Sequence, residues 1–302
     1  MLIPILLDLF LWVTPRVSVA PLFDRVAHFY SEAASMSDLP EEMATLAQQM
    51  ATAVSEMGAA SNLLNLLLWL SRPLLHLPSL LHVVEPQRSS APIEVDGLAQ
   101  MVGSGLFLTL LGLAIGVVFM MLLARHLPIG AAAKSWAWEE LPGLALRNWL
   151  KVMAFVALLV IALLALFAPV SIAVTLLALV APGLTTILAF LFGGFIMVLL
   201  LYLYFVPVGM IMDGLRLFNA IGQSFRLVRD NFWATLGLLL LSDLISLGFS
   251  VMLARLVDFQ AVAALAAILV NAFIGTGLAL GFMIFYRSRV LRMQGEQYDV
   301  EL

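Results

Sequence analysis

Between Lys151 and Asp213 the chain runs for 61 residues without a charged side chain. No water-soluble fold tolerates that, because too little polar surface is left to face solvent. A bilayer does, since about 20 apolar residues wound as a helix cross its hydrocarbon core. Pro169 and the pair Pro182-Gly183 divide the run into apolar pieces at 152–168, 170–181 and 184–212. The middle piece is too short to cross and is expected to be a re-entrant or interfacial turn.

Further runs follow the same rule. Residues 97–124 and 259–286 carry no charge, and 232–254 carries only Asp243. The sequence therefore predicts an all-α integral membrane protein with five spans, near 98–124, 148–168, 184–211, 232–254 and 261–286. Residues 97–302 would form the transmembrane bundle. Residues 1–96 would form an apolar N-terminal anchor and an extracytoplasmic helical arm. Composition agrees: 63% of residues are hydrophobic and 11% charged, where soluble domains have about a quarter charged. No cysteine is present, which excludes disulfides and thiolate chemistry. No long basic run suggests nucleic acid.

The first residues, MLIPILLDLFLWV, resemble the apolar part of a signal peptide, with Ser-Val-Ala at 18–20 as a cleavage box. No basic region precedes them, Asp8 interrupts them and Pro21 follows the box, so a retained anchor is expected. It would form a thin sixth crossing or lie in the outer interface.

Charge sets the expected orientation. Residues 125–151 carry Arg125, Lys134, Arg147 and Lys151 against Glu139 and Glu140, and 213–231 carries three arginines against two aspartates. Three more arginines follow at 287, 289 and 292, whereas the first 96 residues hold four arginines against ten acids. The positive-inside rule then places 125–151, 213–231 and the C-terminus in the cytoplasm and 14–96 outside, in a multi-pass cell-membrane protein.

Two helices are expected in the outer arm. Pro21 opens the first, which runs to about Ser35 with Leu22, Val26, Phe29 and Ala33 on one side. Asp38 starts the second, with Glu41 completing a capping box. Met36, Met43, Met50, Met57 and Leu64 recur every seven residues, and Leu39, Leu46, Ala53, Ala60 and Leu67 recur three positions on. This is a coiled-coil seam over four heptads, in a helix expected to reach Leu70. Met43, Leu46, Met50 and Met57 are its candidate packing or partner residues. Pro73 and Pro78 end it, and VEPQRSSAP at 84–92 reads as a loop.

The stretch AIGQSFRLVRDNFWATLGLLLL at 220–241 opens with charges and ends without any. Phe218, Ile221, Phe225, Val228 and Phe232 share one helical face, with Arg216, Gln223, Arg226 and Arg229 away from it. The pattern predicts an amphipathic elbow in the cytoplasmic interface, with Arg226 and Arg229 near headgroups and Phe232 and Trp233 at the boundary. ALRNWLKVMAFVALLV at 145–160 repeats the plan of basic residue, asparagine, aromatic and apolar run, so a second elbow is expected there. The stretch at 220–241 resembles the signature of a loose bacterial family of multi-pass membrane proteins. That family includes the membrane domains fused to some glycerophosphodiester phosphodiesterases, and stand-alone relatives. The likeness extends over 97–290 by hydropathy and about 20 residues by motif. It implies a helical membrane bundle and transfers no catalytic residue, because no phosphodiesterase domain is present.

Chemistry-bearing patterns are few. Asp24, His28 and Glu32 line one helical face, which reads as a solvated face with an i,i+4 pair rather than a metal site. His76 and His82 flank Pro78 and give no metal spacing. HExxH, GxSxG and P-loop motifs are absent. No enzyme, cofactor or metal is therefore expected. Gly112 with Gly116 and Gly277 with Gly281 form GxxxG pairs suited to close helix packing. Asp243, near the middle of its span, is expected to face the bundle interior and clasp Asn271 or Ser246. Two functions fit: an assembly subunit presenting its arm to another membrane-protein subunit, or a transporter or lipid-handling protein. Pro207, the broken 169–183 segment and Asp243 favour the second; the methionine seam favours the first.

Overall fold

The computed structural model of the chain describes residues 1–35, 40–80, 91–127, 137–257 and 261–295. It is almost wholly helical, and five helices are long and apolar enough to cross a membrane: Leu98–Arg125, Trp138–Ala178, Gly183–Met212, Phe232–Leu253 and Val262–Gln294. The chain is an all-α, multi-pass membrane protein. Asp38, His82 and the loop expected at 84–92 fall wholly or largely outside the described residues.

Two compact units are present. The first comprises residues 1–73, 78–112 and 249–273. It opens with α1 (Leu2–Val13), whose 12 residues reach about 18 Å, short of the bilayer core. Asp8, the residue that interrupts its apolar run, is fully buried. Its carboxylate accepts hydrogen bonds from the Ser79 hydroxyl and from the Leu80 backbone N–H, the latter at 3.0 Å. A buried carboxylate is tolerated only when hydrogen-bonded in this way. Leu80, Leu253, Ala267 and Ile268 form a core against which Ile5 and Leu9 pack.

After α1 the chain forms a helical hairpin, α2 (Ala20–Ala34) and α3 (Glu41–Ala59). Pro40 stands at the N-cap of α3, and the expected capping box of Asp38 with Glu41 lies outside the described residues. Helix α3 does not run to Leu70. Ser61 and Asn62 draw the chain aside: Ser61 Oγ accepts from Val19 N–H at 3.1 Å, and Asn62 Oδ1 accepts from Val17 and Leu64 N–H at 3.3 and 3.2 Å. The strands β1 (Val17–Ser18) and β2 (Ile93–Glu94) pair in parallel beside them. Leu63, Leu64, Leu67 and Leu68 then bury in a short apolar segment that contains α4 (Leu66–Trp69) and continues into α5 (Ser71–Leu75). That segment lies on α6 (Leu98–Arg125) so closely that any Cβ at Gly112 would collide with the Leu67 carbonyl. Gly112 thus serves a non-spanning segment, and Gly277 and Gly281 meet nothing closely.

The second unit comprises residues 74–77, 113–248 and 274–302. Its α7 (Leu141–Val180) is one continuous helix of 40 residues with Pro169 inside it. The expected break into a span and a re-entrant turn does not occur. Proline removes one hydrogen bond, to the carbonyl of Ala165; leaving the helix in apolar surroundings would strand several backbone groups. The basic stretch 145–151 is part of α7, so the expected elbow there is absent and the resemblance between the two stretches does not extend to structure. Next come α8 (Pro182–Leu203), α9 (Val206–Met212), α10 (Leu217–Asp230), α11 (Phe232–Val257) and α12 (Ala261–Gln294).

Candidate functional site

The third candidate span is broken. After Leu203 the helix opens at Tyr204 and Phe205 and restarts as α9. Pro207 accounts for the position, since it has no N–H for the carbonyl four residues back, at Leu203, and its ring crowds that carbonyl. One side chain repairs the gap. Ser224 of α10 accepts from Phe205 N–H at 3.2 Å and donates to the Tyr202 carbonyl at 2.7 Å. Backbone freed inside a membrane protein needs such a partner.

That repair sets the rotation of α10. Its buried line is Ala220, Ser224, Leu227 and Val228, small at the point of closest approach. Phe218 is 76% exposed, and Phe225 also lies on the open side, its ring 5.0 Å from Tyr202. The sequence reading put these two phenylalanines on one apolar face with Ile221, Val228 and Phe232; of that face only Val228 is fully buried. Arg226 and Arg229 are exposed, and Arg229 pairs with Asp230 at 3.0 Å. Asn231 separates α10 from α11, Phe232 is half-buried and Trp233 is exposed.

A polar cluster lies beside the break. Asp213 Oδ1 accepts from Arg287 Nη1 at 2.7 Å, and Asp213 Oδ2 accepts from the Tyr286 hydroxyl at 2.7 Å. Gln223 Nε2 donates to the Tyr286 oxygen at 2.8 Å and lies 3.4 Å from Asp213 Oδ2. Little of the ion pair is exposed. A Cβ on Gly209 would stand 2.8 Å from the Tyr286 oxygen, so glycine there keeps room for the phenol. Lys151 donates to the Gly214 carbonyl at 2.9 Å. Sequence reasoning missed Asp213, Tyr286 and Arg287 as a group. The available signal was that Asp213 and Arg287 are the first charges after two long uncharged runs, and of opposite sign.

His76 is the second polar group enclosed among helices. Its backbone takes the left-handed conformation, with φ 52°, which is strained for histidine. The ring stacks on Phe282 at 4.6 Å and leans on Tyr204 at 5.0 Å. Its Nδ1 is 3.4 Å from the Tyr204 hydroxyl, while Nε2 is buried with no hydrogen-bond partner among the described residues. Burial lowers the imidazole pKa to about 4, so the ring is neutral at physiological pH.

Asp243 is exposed, one residue past buried Ser242. Thr235, Ser242, Ser250 and Leu253 are the buried residues of α11, and Asp243 is not among them, so it does not take the interior position expected of it. Asn271 is buried, and its Nδ2 has no partner among the described residues.

The hairpin differs from its expected packing by one residue. Met43, Leu46, Met50 and Met57 are between 48% and 62% exposed. The line turned toward α2 is Ala44, Ala47, Ala51, Val54 and Gly58. A Cβ at Gly58 would run into Phe23. Alanine and glycine let the two axes approach more closely than methionine would, so the small residues take the seam. Opposite the methionines, Asp24 Oδ1 accepts from Ser55 Oγ at 2.9 Å, and His28 lies 3.5 Å from Glu32. No group of three or more His, Asp or Glu residues able to hold a metal occurs among the described residues. Comparison with family models, curated proteins and solved structures finds no match to this chain.

Proposed function

We propose that this membrane protein is a non-enzymatic assembly subunit. In this reading residues 14–96 lie outside the cell membrane, the C-terminus is cytoplasmic, and α2–α3 is an arm presented to another membrane-protein subunit. The positive-inside distribution of arginine and lysine supports the orientation. The observation that carries the function is the uncovered stripe Met43, Leu46, Met50 and Met57. The hairpin satisfies its own packing through alanine and glycine, so these side chains are spare for a second surface, and methionine suits an adaptable contact. Purification in mild detergent tests the reading: wild type should retain a stoichiometric partner, and Met50→Glu should lose it without loss of folded protein. Purification of wild type alone would overturn it.

A second reading, lipid handling or transport, draws on the break at Tyr204–Phe205 and the enclosed His76. Broken helices and buried polar groups accompany substrate paths. Native mass spectrometry of the wild type in detergent would support it by detecting a lipid or solute that His76→Asn releases.

A further inference from the structure

The two helices of the hairpin are antiparallel: Asp24 meets Ser55, and Gly58 packs on Ala20 and Phe23. In an antiparallel pair, the residue just before each inward-facing one turns to the same side on both helices. Reversal of the axis reverses both the sense of rotation and the facing direction, so the two effects cancel. Val26 and Phe29 of α2, each just before an inner position, therefore share a face with Met43, Leu46, Met50 and Met57 of α3. All six are exposed. Residues just after the inner positions, such as Asp24, His28, Gln48, Thr52 and Ser55, form the opposite, polar face. The Asp24–Ser55 hydrogen bond across the two helices fixes this arrangement.

The apolar face has the spacing of a coiled-coil seam, at 43, 46, 50, 53 and 57. Its outer edge on α3 carries Glu42, Gln49 and Glu56, seven residues apart. These occupy the positions that select a partner by charge. Across residues 20–59 the sequence has six acids and one arginine. A second copy of the hairpin would bring the same acids to the contact, and an anionic lipid surface would repel them.

We propose that this face seats a single amphipathic helix of a partner, with an aliphatic stripe and lysine or arginine along its flank, to complete a three-helix bundle. The proposal rests on the assembly reading and adds to it the chemistry of the partner.

The test uses the full chain in phosphatidylcholine nanodiscs, with a labelled synthetic helix of about three heptads carrying leucine at its seam positions and lysine at its flanks. The same helix with glutamate at the flanks is the control. The lysine helix should bind at least about ten-fold more tightly than the glutamate helix. Met50→Glu and Phe29→Glu should each weaken it by about ten-fold or more, and both residues are exposed, so the fold is spared. Glu42→Lys with Glu56→Lys should reverse the preference. Absence of lysine-helix binding, equal binding of the two helices, or indifference to Met50→Glu overturns the proposal. A Met50-dependent dimer without peptide would assign the face to a second copy, and a spin label at position 50 immersed in lipid would assign it to the bilayer; each likewise overturns it. If peptide binding fails while Met50→Glu still removes the copurifying partner, the basic-helix inference is wrong and the assembly reading stands.

Discussion

The hairpin at 20–59 and the elbow at 217–230 are both amphipathic helical elements that leave some large apolar side chains outside their own seams, Met43, Met50 and Met57 in one and Phe218 and Phe225 in the other. In both, small residues take the inside: Ala51 and Gly58 in the hairpin, Ala220 and Ser224 in the elbow. The reasons differ. Alanine and glycine in the hairpin shorten the distance between two unbroken helices. In the elbow, Ser224 is drawn in by a backbone that cannot be left open. One seam is set by contact, the other by hydrogen-bonding need, so their sensitivity to substitution should differ sharply.

The largest effect is expected at the polar cluster. Arg287→Ala leaves Asp213 enclosed without its cation, and removal of one partner of a buried pair destabilises by about 3–5 kcal/mol. Thermal unfolding in detergent would measure this, and Asp213→Ala with Arg287→Ala should recover part of the loss. An unchanged melting temperature in Arg287→Ala would show that the cluster does not hold the elbow.

Acid comes next. The folded pKa of His76, about 4, lies below the ordinary value of 6.5, so the unfolded chain binds the proton first. Stability from this residue is complete above about pH 6.5 and falls as pH drops toward 4, by up to about 3 kcal/mol. His76→Asn, a residue that tolerates the left-handed backbone, should remove that slope. A pH titration of unfolding in both proteins checks it, and parallel slopes would count against an enclosed neutral imidazole.

Ser224→Ala should be intermediate. It strands the Phe205 N–H and the part-buried Tyr202 carbonyl together, and at the low end for unpaired groups, about 1 kcal/mol each, the loss is about 2 kcal/mol. Faster hydrogen exchange near residue 205 would localise the loss. Met50→Glu should be smallest, within about 0.5 kcal/mol of wild type, because the residue touches no seam. A large destabilisation there would merge the two regions into one kind of interface.

Membrane spans were legible in the sequence because uncharged runs reflect a demand of the solvent on every residue. Prolines were not. Pro169 and Pro207 sit in the same 61-residue run, yet only the second coincides with a break, because only there does a serine from another helix meet the freed backbone. Local sequence cannot carry that difference, since Ser224 lies 22 residues from Tyr202. The hairpin was legible as two helices but not in its rotation. Hydrophobic periodicity selected the methionine stripe, while closeness of approach selected the alanine line one residue away. His76 gave no signal, because its strain and its stacking on Phe282 exist only in three dimensions.

The Asp8 carboxylate binds the N–H of a residue 72 positions further along, which fixes an order of events during synthesis. The first helix cannot complete its buried contacts until residue 80 has left the ribosome, and closing so long a loop is slow when the intervening chain is unfolded. The hairpin depends on local contacts alone and can form sooner. Once formed, it holds Ala20 against Gly58 and removes most of the intervening chain from the search. A preformed hairpin would thus shorten the search of the first helix for residue 80, and a hairpin-disrupting change such as Ala51→Pro should lower the yield of inserted protein.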